Sequence, residues 1–109
     1  MTRRLIHAAC AFAALVPSMI AVAAEPYPAK PVRIVVPFAA GGSTDILARN
    51  IAQRLNESMR SPVIVDNRPG GAAVVGADHV AKSAPDGYTL LMGTNTTHAV
   101  APHLHSKLP

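Results

Sequence analysis

The sequence predicts an α/β fold built on a parallel three-stranded sheet in the order 2-1-3. Two observations carry this. Short apolar runs rich in β-branched residues, Val32–Val36, Val63–Val65 and Tyr88–Met92, alternate with two longer segments in which apolar residues recur at helical spacing, and that alternation is how βαβ units read. The runs are also nearly continuous in their hydrophobicity, as befits strands covered by helices on both faces. Right-handed crossovers then place strand one between the other two. The C-terminal ends of strands one and three lie side by side, where successive helices leave for opposite faces and where ligands of such sheets bind.

The first 24 residues stand apart from this pattern. Thr2, Arg3 and Arg4 form a basic start, Leu5 to Val22 carries no charged residue, and Ala21-Val22-Ala23 or Val22-Ala23-Ala24 offers small residues for cleavage. Residues 1–24 therefore read as a cleavable signal peptide, and residues 25–109 as the folded part of an exported, periplasmic protein. A membrane anchor fits less well, because Pro17 interrupts the run and no basic flank follows it. Cys10 is not set for lipid attachment, since His7 stands where an aliphatic residue belongs.

Of the ten Lys and Arg residues, Arg3 and Arg4 belong to the leader; the remainder exceeds the six acidic side chains by only two. No basic cluster with interleaved aromatics remains, so no nucleic-acid partner is expected. The only cysteine also lies in the leader, so the folded part forms no internal disulfide and depends on burial alone.

Each element has a local cause. Three prolines between Glu25 and Pro31 make an extended lead-in. Val32-Arg33-Ile34-Val35-Val36 is strand one. From Ser43 or Thr44, either of which suits an N-cap, a helix is expected: Leu47, Ile51 and Leu55 recur every four residues, flanked by Ala48, Ala52 and Met59. Arg49, Asn50, Gln53, Arg54 and Glu57 face water. Asp45 sits in the first turn, where negative charge suits the dipole. Pro62 ends that segment, Val63-Ile64-Val65 is strand two, and Asp66-Asn67-Arg68-Pro69-Gly70-Gly71 is a turn. A weaker helix spans about Ala73 to Ser83, with Val75, Val80 and Ala84 towards the core and Gly76 either weakening it or permitting close approach to the sheet. Pro85-Asp86-Gly87 turns the chain into Tyr88-Thr89-Leu90-Leu91-Met92, strand three. The final Ser106-Lys107-Leu108-Pro109 carries no cap, and the sequence reads as ending inside a domain.

Chemistry is expected at two loops. Pro37 to Asp45 contains Gly41-Gly42-Ser43-Thr44 and runs into a helix N-terminus, so the N–H groups of Gly42, Ser43 and Thr44 favour an anion. Gly93 to His98 brings the hydroxyls of Thr94, Thr96 and Thr97 to the same end of the sheet, and convergent short donors are what a carboxylate requires. Neither phosphate-loop pattern is present. Ser43, His98 and Asp45 can be drawn as a hydrolytic triad, but Ser43 lacks the G-x-S-x-G setting and no spacing forces the three together. His98, His103 and His105 match no zinc spacing. His79 reads as a surface residue, and Arg68 as a turn arginine that either stays solvated or reaches an acidic ligand. No catalytic residue, metal or cofactor is expected.

Five ordered motifs carry a resemblance: Tyr27-Pro28-Ala29-Lys30-Pro31-Val32-Arg33-Ile34-Val35-Val36-Pro37-Phe38; Ala40-Gly41-Gly42-Ser43-Thr44-Asp45; Asp66-Asn67-Arg68-Pro69-Gly70; Gly76-Ala77-Asp78; and Ala84-Pro85-Asp86-Gly87-Tyr88-Thr89-Leu90-Leu91. In these the chain resembles the solute receptors of tripartite tricarboxylate transporters, the Bug family. The resemblance implies a periplasmic-binding-protein-like two-lobed fold, of which residues 25–109 cover the first part of lobe one. It implies a monomeric receptor, not an enzyme, that closes on a small organic carboxylate and presents it to a membrane permease. The ligand contacts it implies fall on Phe38, Ala39, Ala40, Gly41, Gly42, Ser43, Thr44 and Asp45, with Asp45 acting through water or by capping, and on Gly93, Thr94, Asn95, Thr96, Thr97 and His98. Relatives continue beyond the length of this chain, so a nonfunctional remnant is the alternative reading, and an exported serine hydrolase a more distant one.

Overall fold

Burial along the first strand decides how the molecule is layered. In the computed structural model, which describes residues 25–105, 107 and 108, strand β1 runs from Val32 to Val36. Val32, Ile34 and Val36 are 1%, 5% and 0% exposed and form one cluster with Ala48, Ala52 and Val63. Val35 points to the opposite face and is equally buried. Strand β1 is therefore covered on both sides. The signal peptide expected at residues 1–24 lies outside the described residues.

Strands β2 (Val63–Asn67) and β3 (Thr89–Leu91) pair with β1 in parallel, giving the order β2-β1-β3 that the sequence predicts. Val32 lies opposite Val63 and Val36 opposite Asn67 on one side; Arg33 lies opposite Thr89 and Val35 opposite Leu91 on the other. Strand β2 runs two residues further than its apolar core suggests, because Asp66 and Asn67 keep extended pairing with the end of β1. Helix α1 (Ser43–Met59) packs on β1 and β2, and helix α2 (Val74–Ala81) on β3 and β1. No helix among the described residues is long and apolar enough to cross a membrane.

Helix α1 rests on the sheet through small residues. Its buried positions are Asp45, Ala48 and Ala52, whereas Leu47 and Ile51, expected in the core, are 52% and 38% exposed. The alanines let the helix axis come close to β1 and β2, and this turns the Leu47–Ile51 edge outward. Leu55 packs partly against the core. The N-cap is Gly42, not Ser43 or Thr44: Gly42 has φ −77° and ψ 169°, and its carbonyl accepts the Ile46 N–H at 3.0 Å. The helix ends before Pro62, at Arg60, whose φ of 51° is left-handed and whose N–H donates to the Asn56 carbonyl at 3.1 Å.

The second crossover is unusual. Gly70, Gly71, Ala72 and Ala73 all have positive φ, at 131°, 54°, 52° and 75°, although two of them carry a Cβ that disfavours it. Only then does α2 begin. Val75 and Ala84, expected in the core, are exposed, and Val80 is half-buried; the buried residue of α2 is Gly76. A Cβ on Gly76 would stand 2.8 Å from the Pro37 Cβ and 3.0 Å from the Arg68 carbonyl oxygen, so of the two roles the sequence leaves open for Gly76, close approach is the one the structure uses. A short α-helical turn, α3 (Ala101–Leu104), follows a π-helical turn at Thr96–Val100. Helical conformation thus begins inside the segment expected to be a loop.

The lead-in is fastened at the opposite end of the sheet. Tyr27 donates its hydroxyl to the Gly87 carbonyl at 2.7 Å, the Ala29 N–H donates to the Tyr88 hydroxyl at 2.8 Å, and Lys30 pairs with Asp86 at 2.9 Å. The Lys30 ammonium also lies 4.4 Å from the Tyr88 ring centroid.

Two outcomes follow from these contacts. Gly76→Ala, although favourable for helix propensity, forces overlap with Pro37 and costs about 1–3 kcal/mol; thermal denaturation should show a loss of several degrees, and an unchanged midpoint would contradict the close packing. Ala72→Gly, at an exposed position, relieves left-handed strain of about 1 kcal/mol, less the added freedom of the unfolded chain, and should leave the midpoint unchanged or higher. A clear drop would mean that the left-handed turn is not the native one.

Candidate functional site

Parallel strands deliver their loops to one end of the sheet. The chain leaving β1 passes through buried Pro37 and half-buried Phe38, then exposes Ala39, Ala40, Gly41 and Gly42 before α1 begins at the exposed Ser43. The chain leaving β3 is held alongside: the Met92 N–H donates to the Val35 carbonyl at 2.8 Å. Gly93, Asn95 and His98 are exposed, Thr94 and Thr96 half-buried and Thr97 buried. The chain leaving β2 also crosses to this end. The Arg68 N–H donates to the Val36 carbonyl at 2.8 Å, and the turn Gly71–Ala73 contacts the segment Thr96–Val100.

The first helical hydrogen bond of α1 is the one from Ile46 to Gly42, so the N–H groups of Gly42, Ser43 and Thr44 have no acceptor within the helix. They sit in the positive field of the helix N-terminus. Gly41 is different, because its N–H donates to Asp45 Oδ2 at 2.8 Å. Asp45 also accepts from Arg49 Nε at 3.0 Å on the same oxygen and from Asn67 Nδ2 at 3.0 Å on Oδ1. It is 3% exposed. The Arg49 guanidinium, then the Gly41 N–H and the Asn67 amide, hold its carboxyl at about 2, below the ordinary value of 3.8. Asp45 accordingly caps the loop, while the ends of Gly42, Ser43 and Thr44 stay open.

In the second loop one hydroxyl is turned inward. Thr97 Oγ1 accepts the Thr94 N–H at 2.8 Å and donates to the Thr94 carbonyl at 2.7 Å, which explains why a helical turn starts here. Thr94 Oγ1 is buried without a partner among the described residues. His98 packs its imidazole over Gly93, where any Cβ would overlap it. None of the hydrogen-bond partners found for Asp45 is a histidine, so the drawn triad is not assembled. Among the described residues no group of three or more His, Cys, Asp or Glu could hold a metal ion. Arg68 is engaged within its own strand end: its Nε donates to Asp66 Oδ2 at 2.9 Å, and Arg33 Nη1 reaches the same oxygen at 3.1 Å. Those guanidinium groups, Arg68 foremost, lower the Asp66 carboxyl pKa.

Sequence reasoning missed Arg49 and Asn67. The four-residue spacing of Asp45 and Arg49 is a legible ion-pair signal, but nothing local marks Asn67, which joins the loop from a different strand.

The Asp45 carboxyl has a folded-state pKa below its unfolded one, so its contribution to stability is complete above about pH 4 and is lost as pH falls towards 2. Asp66, beside Arg68 and Arg33, and Asp86, beside Lys30, are also lowered and add to the loss of stability in acid. The Asp45 share is isolated by subtraction: Asp45→Asn should flatten the loss of stability between pH 4 and 2 in denaturant titrations, and an identical pH slope in the variant would refute it.

Comparison with known proteins identifies the family. The family model described as the tripartite tricarboxylate transporter family receptor matches residues 47–109. A UPF0065 protein of Bordetella pertussis is 44% identical over 86 residues, covering 79% of this chain and 27% of the relative. BugT of the same organism is 51% identical over 75 residues, covering 69% of this chain and 23% of BugT. The chain thus spans about a quarter of the length of these relatives. Among solved structures, a periplasmic transporter superposes with TM-score 0.74 at 45% identity, covering 76% of this chain and 28% of that one. A Rhodopseudomonas palustris protein solved with adipate gives 0.66 at 46% identity, covering 67% and 24%. MatC from Rhodopseudomonas palustris, solved with bound malate, gives 0.58 at 40% identity, covering 60% and 22%. With a family match over more than half of its residues, this chain belongs to the receptors of the tripartite tricarboxylate transporter family.

Proposed function

We propose that the protein is exported by cleavage of residues 1–24, works in the periplasm as a monomeric solute receptor, binds a small organic carboxylate, and hands it to a membrane permease. The carboxylate is held at two loops, Phe38 to Asp45 and Gly93 to His98. The observation that carries this reading is the fixed N-terminus of α1: among its N–H groups without helical acceptors, those of Gly42, Ser43 and Thr44 stand at the C-terminal end of β1 beside the hydroxyl-bearing loop of β3. Backbone donors in a helix dipole suit one carboxylate. The ligands of the two Rhodopseudomonas palustris proteins, adipate and malate, are of this class. The family's nature as receptors supports binding and release without turnover.

Thermal denaturation of the protein against a panel of carboxylates that includes malate and adipate tests the reading. A ligand present at one hundred times its Kd stabilises by about 2.7 kcal/mol. One substitution separates binding from folding. Ser43 is the first residue of α1 and Gly42 before it is extended at φ −77° and ψ 169°, so proline is sterically suited to position 43 and removes only an N–H that the helix does not use. Ser43→Pro should keep or raise the midpoint of the free protein and weaken carboxylate binding roughly tenfold or more. Undiminished binding in this variant would remove the α1 N-terminus from the site.

A further inference from the structure

Asn67 lies at the end of β2, opposite Val36 in register, and makes three hydrogen bonds that join three separate parts of the chain. Its Nδ2 donates to the Phe38 carbonyl at 3.1 Å and to Asp45 Oδ1 at 3.0 Å, and its Oδ1 accepts from Arg49 Nη2 at 3.1 Å. Arg49 closes the ring through its Nε bond to Asp45, and Asp45 in turn holds the Gly41 N–H. The loop Phe38–Gly42 is therefore clamped at two points, the carbonyl of Phe38 and the N–H of Gly41, by side chains from β2 and α1. Gly41 itself, at φ 87° with nothing within 4 Å of a Cβ position, supplies no packing of its own. Phe38 packs against the core and the Gly42 carbonyl is tied to Ile46, so the ring acts on the residues between these two fixed ends.

We propose that Asn67 and Arg49 are positioning residues for ligand capture, resting on the carboxylate reading above: Asn67 fixes the loop so that the N–H groups of Gly42, Ser43 and Thr44 stay presented together, and Arg49 offsets the charge of Asp45. The first effect reduces the ordering cost of binding, since an already fixed loop loses little freedom when a ligand arrives. The second is electrostatic. A carboxylate three residues inside the helix would oppose an incoming anion through a low-dielectric interior, and the Arg49 guanidinium at 3.0 Å leaves the pair formally neutral. The loop can then attract an anion through its backbone alone.

Backbone 15N relaxation read beside malate and adipate titration, on wild type, Asn67→Ala and Arg49→Lys, tests this. In the wild type the amides of Gly41 to Thr44 should be as rigid as those of Ile34 and Val35, with order parameters near 0.85. In Asn67→Ala the loop values should fall below about 0.6 while the β1 values stay unchanged, and the Kd of whichever acid binds should rise roughly tenfold. Arg49→Lys keeps the charge beside Asp45 but cannot fork to Asn67, so it should loosen the loop and lose less affinity than Asn67→Ala. Unchanged loop order parameters in Asn67→Ala, or a fall shared equally with β1, would overturn positioning and leave only a structural role. Should neither acid bind the wild type, the carboxylate assignment fails while the relaxation data still decide whether Asn67 and Arg49 hold the loop.

Discussion

A carboxylate removed from water must be fully compensated or it destabilises the fold that buries it, and Asp45 is such a group. Its compensation joins the β1 loop, α1 and β2 at the C-terminal end of the sheet. The Gly41 N–H is drawn to it from the loop, Arg49 from the next turn of α1, and Asn67 from β2. The same carboxylate accounts for the N-cap. With Asp45, third in the helix, reaching back to the N–H before the cap, no hydroxyl is needed at Gly42, and Ser43 and Thr44 move inside the helix. This leaves their N–H groups directed along the axis with no side chain competing for them.

Close packing of small residues supplies the rigid base on which that arrangement depends. Ala48 and Ala52 bring α1 down onto β1 and β2, and Gly76 brings α2 against Pro37, the first residue beyond β1. Pro37 is thus pressed from the opposite face while Asn67 pulls on Phe38 next to it. The loop leaves a fixed point, and the left-handed turn from Gly70 to Ala73 is the means by which the second crossover reaches that point. Two alanines in left-handed conformation cost free energy that the contacts of Gly76 and the buried Ala73 offset.

What could be read from the sequence depended on whether the cause was local. The β-branched runs, the Pro85-Asp86-Gly87 turn and the helical spacing of apolar residues are local signals, and they give the strands, their order and the two main helices. The burial of α1 was not legible, because the Leu47, Ile51 and Leu55 stripe is a stronger apolar pattern than Ala48 and Ala52, yet distance to the sheet favours the smaller side chains. The positive φ of Ala72 and Ala73 runs against their own propensity, so no reading of residue type would find it. For the site, the two loops follow from strand order, whereas the inward turn of the Thr97 hydroxyl and the clamp by Asn67 depend on tertiary contacts across many residues of chain.

On the proposed function, these features divide the work of recognition. Backbone N–H groups at Gly42, Ser43 and Thr44 read a carboxylate without reference to side-chain identity, so they contribute affinity for the whole class and no choice within it. Thr97 is closed on itself, and Asp45 is closed by its three partners, so neither discriminates among ligands. Choice must then fall to groups that meet the rest of the ligand. Within this chain the candidates are Thr94, whose buried hydroxyl has no partner among the described residues, and the exposed Asn95 and His98. A hydroxyl held out of water without a partner is costly, and Thr94 bears that cost where Thr97 does not. Thr94 therefore differs from Thr97 in this loop: one hydroxyl has its hydrogen bonds made within the turn and the other has not.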